Sequence, residues 1–515
     1  MAKRVFLDTS CGNLIHPWGG KLKLFFVLFL LISLYLSIPV SSVLGYYTNM
    51  PASVVLGQPD FTSGIAGNGG INASSMNNPL GACSDGNKLA VSAANRVLIW
   101  NTFPTRNQQP ADLVLGQPDF STETANIGGI SAQTLSTPFG CWTDGKKLVL
   151  VDQANKRVLI WNTFPTQNQQ AADVVVGQPD FITSSGAATA SKLNLPVGVL
   201  VYNGKLIVSD QTAHRVLIWN AVPTTNGVAA DVVVGQTNFT TGTTGTTASK
   251  FFNPRGLGAY DNKLFVGDTS NNRFLIFNNI PTSNGASADV VIGQPDFTTN
   301  TANNGGLSCA AIFGGQSPFI PISNGRLFLA DGETRRLLIF NQIPTTNFQA
   351  ADIVLGQSDC AASVTGTTAN TFGNQPIRMG AEVNGKLIVG DQANSRILIF
   401  NNVVATPSIG LYPYPEAAGN GRLRMRGNVR LGQWDRYSLT RSKLTVSVNG
   451  GSEGMIDSLY GLREDAHDNL YEFFHEYDPK PPPGGTEGYT LKFHANSSNA
   501  DESYAFYFTP FEIKS

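Results

Sequence analysis

The dipeptide Gly-Gln recurs in step six times, at Gly57, Gly116, Gly177, Gly235, Gly293 and Gly356, with a spacing of roughly sixty residues. Each copy ends a short apolar run such as VVVGQ. Each is followed by a stretch rich in Gly, Ser, Thr and Asn, then a proline, a run like GKL and a closing run like NRVLIWN. A fixed period of this length marks stacked supersecondary units, and it constrains the architecture before any single residue is weighed.

In the second repeat, PFGCWTD, KKLVLVDQ, KRVLIWN and ADVVVGQ read as four short strands bounded by Gly, Pro, Asn or Asp. Val158, Leu159, Ile160 and Trp161 are apolar at consecutive positions, so their sheet needs cover on both faces. Sheets set radially around an axis provide that cover, because each is sandwiched by two neighbours. A two-sheet sandwich would instead show polar alternation along its strands. Val97, Val158, Val216, Phe274, Leu337 and Ile397 each follow an arginine at the head of the third strand, which gives six blades. The last blade ends at RILIFNN with no ADVVLGQ-like run after it, while residues 52–58 hold a spare copy. The sequence therefore predicts an all-β, six-bladed β-propeller closed by an N-terminal strand. A rival run, VRLGQW around Gly432, lacks the PDF sequel and falls out of period.

The ends of the chain differ from this ring. Residues 1–45 read as a signal peptide or an N-terminal membrane anchor: Lys21 and Lys23 flank an apolar core, and Val43, Leu44 and Gly45 offer a cleavage site after Gly45. The core is short for a span, and Pro39 and the serines after it favour cleavage. The propeller is assigned to residues 46–404, a linker to 405–420 and a small β-rich domain to 421–515. That last domain reads as antiparallel, with an immunoglobulin-like sandwich as one option. Its His467, His475 and His494 have no recognised ligand spacing, and strand or surface positions account for them.

With 35 Lys and Arg against 36 Asp and Glu, the net charge of −1 offers no basic excess for nucleic acid. Of the 5 cysteines, Cys11 leaves with a cleaved signal. Cys83 and Cys141, on apolar strands, read as buried thiols. Cys309 and Cys360 lie in polar loops of consecutive repeats, and in an exported protein they could form a disulfide.

The runs DQANKRVLIWN, DTSNNRFLIFN and DQANSRILIFN resemble NHL repeats. That resemblance covers about residues 52–402 and implies a propeller. Departures are Ser92, read at the place of Asp152, Asp210, Asp268, Asp331 and Asp391, and His214, Arg335 and Ser395 in place of asparagine. The period is also longer than the family's usual one. The peptidyl-hydroxyglycine lyases, which resemble NHL propellers, use several histidines around zinc. The propeller here holds only His214, so neither metal nor another cofactor is expected.

Residues repeated in every blade have structural explanations. The Asp and Arg five apart suit a charge-assisted bond across a turn, the Gln of each Gly-Gln suits backbone capping, and Phe61, Phe120, Phe181 and Phe297 suit gaps between blades. A ligand site must break the symmetry. After each inner-strand proline the copies read Leu80, Phe139, Val197, Arg255, Phe319 and Ile377, with Arg378 one place further on. Arg255 and Arg378 could hold a carboxylate or sugar acid at one mouth of the channel, or could pair with loop carboxylates. Trp142, Tyr202 and Tyr260 lie further along these strands, as an aromatic floor or as core.

The sequence thus points to a secreted or cell-surface binding scaffold whose partner is a protein or carbohydrate. The membrane is met only through an uncleaved N-terminal segment. An enzyme of the lyase or hydrolase kind using the axial pocket is the alternative, and an architectural cell-surface component is a third reading.

Overall fold

The computed structural model describes residues 46–401 and, beyond them, strands set between residues 408 and 507. The predicted leader, residues 1–45, lies outside the described residues.

Residues 46–401 form a six-bladed β-propeller of four-stranded antiparallel sheets. Blade two is representative: Pro138–Thr143 is innermost, followed outward by Leu148–Asp152, Arg157–Trp161 and Val174–Val176. The third strands are buried at every position from arginine to aromatic, in Arg96–Trp100, Arg157–Trp161, Arg215–Trp219, Arg273–Phe277 and Arg336–Phe340. Both faces are covered because the apolar clusters form between neighbouring sheets, where Phe61, Phe120, Phe181 and Phe297 are packed, partly buried.

Blade six consists of Ile377–Val383, Lys386–Asp391 and Arg396–Asn401, with the N-terminal Val54–Leu56 as its outermost strand. Val54 pairs with Ile399 and Leu56 with Ile397, antiparallel. The closing segment does more than pair. In the internal blades the loop before the outermost strand reaches back to the preceding blade: Val114, Val175 and Val233 each donate their backbone N–H to a side-chain oxygen there, of Asn168, Asn226 and Asn284, all at 3.0 Å. Asn107 receives Val55 in the same way, at 3.0 Å. At the seam Thr48 takes the asparagine's place and receives Val354 N–H at 3.4 Å. Residues 46–56 therefore supply both a strand and a clasp.

The repeated polar residues close turns. Gln178 Nε2 donates to the Lys156 and Ser185 carbonyls at 2.9 and 3.0 Å, and the other five glutamines make the matching pair of bonds. Asp152, Asp210, Asp268, Asp331 and Asp391 pair with Arg157, Arg215, Arg273, Arg336 and Arg396 in buried ion pairs of 2.8–3.0 Å. Blade one departs, and the register corrects the sequence reading. Ala93, not Ser92, stands opposite Arg96, because the turn there is two residues shorter. Glu123, 4.0 Å from Arg96 Nε, is the charge that compensates it.

A second correction concerns the cysteines. Cys83 and Cys141 are not free thiols but a disulfide, with Cα atoms 5.6 Å apart. Inner strands of neighbouring blades converge on the axis, and a Cβ on Gly81 would meet the Phe139 carbonyl at 2.5 Å. That closeness brings the two sulfurs together. Cys309 is bonded to Cys360. Cys360 occupies the place of the PDF phenylalanines, since its carbonyl receives Arg336 Nη1 as the Phe181 carbonyl receives Arg157 Nη1.

Beyond the ring, Ser408–Leu411, Leu423–Arg430, Leu470–Tyr477 and Ser458–Arg463 form one antiparallel sheet, with Glu416–Ala417 beside Leu423–Arg430. Gly454–Met455, Leu444–Val448, Tyr489–Ser497 and Ala500–Tyr507 form another. The stretch read as a linker thus contributes two short strands to the first of these sheets. Val429 and Arg430 of the rival closing run belong to it as well. His475 and His494 sit on strands opposite Met425 and Ser503, and His467 lies outside the described residues.

Candidate functional site

The inner strands begin at the rim that also carries the Asp–Arg turns. Pro79, Pro138, Pro196 and Pro254 face Ala93, Asp152, Asp210 and Asp268 across the first ladder. In blade six the residue facing Asp391 is Ile377. This corrects the alignment of the rim. Ile377 takes the proline's place, and Arg378 stands level with Leu80, Phe139, Val197 and Arg255. The two arginines occupy the same ring position in blades four and six.

Blade five explains why Phe319 does not share that position. Its innermost strand shrinks to Ile322–Ser323, and residues 314–320 leave the sheet and lie across the axis. Ser317 Oγ accepts Met379 N–H of blade six at 2.8 Å, and the Pro318 carbonyl accepts Leu257 N–H of blade four at 3.4 Å. Pro318 also sits over the inner-strand glycines of blades two and three: a Cβ on Gly140 would meet its Cβ at 3.3 Å, and one on Gly198 its carbonyl at 2.5 Å. The axis is crossed by the fifth blade's own segment, and Arg255, Arg378 and the groups around them beside this crossing make up the arginine cup.

The cup is cationic. Arg378 is 5% exposed, donates to the Gln316 carbonyl at 2.5 Å and to Gln392 Oε1 at 3.1 Å, and its guanidinium lies 5.4 Å from the Phe139 ring centre. Burial, then the like charge of Arg255, presses Arg378 down to about 9, with Glu333 acting against both. Arg255 is also lowered by burial and is opposed by Glu333. Its Nε is buried with no hydrogen-bond partner among the described residues. Glu333 accepts a short bond from Gln316 Nε2. The cup thus holds two guanidiniums and one carboxylate.

Trp142, Tyr202 and Tyr260 are not part of it. They lie three to five residues further along the inner strands, about 10–17 Å away. Tyr202 and Tyr260 face Lys205 and Lys263 at the opposite hairpin end. Trp142 and Tyr202 pack against the blade-three and blade-four core, and the Tyr202 hydroxyl accepts Asn262 N–H at 3.0 Å. His214 occupies the left-handed turn position, at φ 52°, and its Nδ1 accepts Asn253 N–H at 3.2 Å.

The sequence reading missed Glu333, Gln316, Gln392, Phe252 and Phe313. Glu333 carries a usable signal, because it is the acid in a turn whose other copies read Ala154, Thr212, Ser270 and Ala393. Phe252 and Phe313 each donate a backbone N–H to the aspartate of their own blade's turn, Asp268 and Asp331, at 2.6 and 2.8 Å. Both belong to the arginine rim, and both are 38% exposed.

Among the described residues no group of three His, Cys, Asp or Glu comes together, and no helix is long and apolar enough to cross a membrane. No family model matches the chain, and no curated protein matches it. Solved structures do. A putative oxidoreductase (glucose dehydrogenase) from Thermus thermophilus is 11% identical, with 66% of this chain and 98% of that chain covered and a TM-score of 0.34. The glutaminyl cyclase of Myxococcus xanthus is 11% identical over 67% of this chain and 95% of that one, with a TM-score of 0.28. A chain of a nidogen–laminin complex is 13% identical over 56% and 88%, with a TM-score of 0.32.

Proposed function

We propose that this chain is an exported, noncatalytic binding protein built on an NHL-type propeller, and that it holds a protein or glycan ligand on the arginine rim. The observation that carries the reading is the pair Arg255 and Arg378, set at one ring position of blades four and six, with Glu333 as the only opposing charge that acts on both among the described residues. A ring of near-identical units departs from its pattern at a local cost, and several departures share this rim: two arginines, one turn acid and a displaced inner strand. The groups in the cup are cations, amides and aromatic rings, which hold a ligand. Its one carboxylate is already engaged by Gln316.

The two disulfides support export, because such bonds persist in oxidising compartments. Tyr46 supports cleavage next to Gly45. It is 4% exposed and its hydroxyl bonds Glu382 at 3.2 Å, so the ring begins where the leader is read to end.

The test is an array of glycans and peptides probed with the full secreted chain and with Arg255→Glu, alongside N-terminal sequencing of the secreted form. A ligand retained by the first and released by the second is expected, with a new N-terminus near Tyr46. Turnover of an array component, or ligands held equally by both proteins, would sink the rim reading.

A further inference from the structure

We infer that the arginine cup takes the carboxylate of an acidic sugar, a uronic acid residue whose apolar ring face rests on the rim phenylalanines. This rests on the rim being the binding face, and it names the ligand class.

Three observations converge. The first is charge. The five buried aspartates of the turns are each matched by their own arginine. In the cup, two guanidiniums face one carboxylate, so the site is short of a single negative charge. A carboxylate supplies one, whereas a phosphate monoester supplies nearly two. The second is preorganisation. Arg378 is fixed by Gln316, Gln392 and the Phe139 ring, while Arg255 keeps a buried Nε without a partner among the described residues. A planar guanidinium matches a carboxylate two bonds at a time, and an anion between the pair would relieve the repulsion that presses on Arg378.

The third is the rim itself. Phe252 lies three residues before Arg255 and is braced edge-on by His214, 5.7 Å between ring centres. Phe313 receives Glu333 N–H on its carbonyl at 3.4 Å. Two partly exposed phenylalanines, on the segments that lead into the inner strands of blades four and five, put apolar surface on the same rim as the two arginines. A pyranose carboxylate presents the same combination.

The experiment is calorimetric titration of the full chain with oligomers of galacturonate, glucuronate and mannuronate. Their neutral counterparts and inorganic sulfate are titrated in parallel. At least one uronate binds saturably and its neutral counterpart does not. Arg255→Gln is expected to weaken that uronate roughly tenfold or more, the loss of a charge-assisted bond, with a melting temperature close to the natural protein's, because Arg255 Nε has no hydrogen-bond partner to lose among the described residues. Phe252→Ala weakens it severalfold. Arg255→Lys keeps the charge but loses the fork, and falls between.

Failure of all three uronates overturns the inference, as does equal binding of a neutral oligomer or of sulfate, or an Arg255→Gln protein that binds normally. If the uronates fail while the array yields a neutral glycan or peptide released by Arg255→Glu, the rim remains the binding face and only the ligand class is lost.

Discussion

Ring closure makes a quantitative prediction, because the seam strand has an internal twin. Val55 at the seam and Val175 in blade two are both 0% exposed. Val55 faces Leu398 and Val175 faces Leu159. Each donates to a neighbouring asparagine at 3.0 Å, Asn107 or Asn226, and each accepts a backbone N–H, from Gln108 at 2.9 Å or Gly227 at 3.1 Å. Truncation to alanine removes two buried carbons at about 0.8 kcal/mol each, and incomplete collapse of the cavity adds to this, giving about 2 kcal/mol per site. If the seam is as well formed as the interior, Val55→Ala and Val175→Ala cost the same to within about 0.5 kcal/mol. The assay is urea unfolding followed by tryptophan fluorescence, with hydrogen exchange read at residues 54–56 and 174–176. A near-neutral Val55→Ala beside a costly Val175→Ala would show the N-terminal strand to be a loosely docked edge, and would refute a seam formed as firmly as the interior.

The covalent and polar framework sets the remaining outcomes. Non-reduced peptide mapping is expected to yield Cys83 linked to Cys141 and Cys309 linked to Cys360. With a sequence separation of 58 residues, losing the first through a paired Cys83→Ala, Cys141→Ala exchange should lower stability by about 4 kcal/mol; an unchanged unfolding midpoint would contradict this. Burial raises the Asp268 carboxyl to about 6 against the pull of Arg273 and the bonds from Asn271 and Phe252. A folded-state pKa above the unfolded one means that the native chain keeps a proton the unfolded chain has lost. The stability this group contributes is therefore full below about pH 4 and is lost as the pH rises to about 6. The stability advantage of the natural protein over Asp268→Asn should narrow from pH 4 to pH 7, and a widening gap would reverse the assignment.

Blade number and closure are legible because each repeat carries its own marks, and the spare run at residues 52–58 shows where the missing strand comes from. What escapes reading depends on contacts between repeats. Cys83 and Cys141 look like core thiols strand by strand, and only the convergence of inner strands near Gly81 makes them partners. Counting from the proline puts Arg378 one place out of line, because Pro376 lies one residue before the first ladder pair, where other blades place their proline in it. The displaced inner strand of blade five carries a local sign in Gly314 and Gly315, but its destination across the axis is set by Met379, Leu257 and Gly198, which belong to other blades. Glu333 stands out as a lone acid among turn residues. Its relevance surfaces only when Arg255 and Arg378 are placed level.

The seam also sets a timetable for synthesis. Leu56 is made early and must wait for Ile397, roughly 340 residues later, before its ladder can form, and pairings so distant are slow to find. Until then the nascent chain carries Val54–Leu56 as an unclaimed sticky edge. A chain stalled before Arg396 has no native mate for its own beginning, so truncated products should be the ones that tangle with each other or call on holding factors.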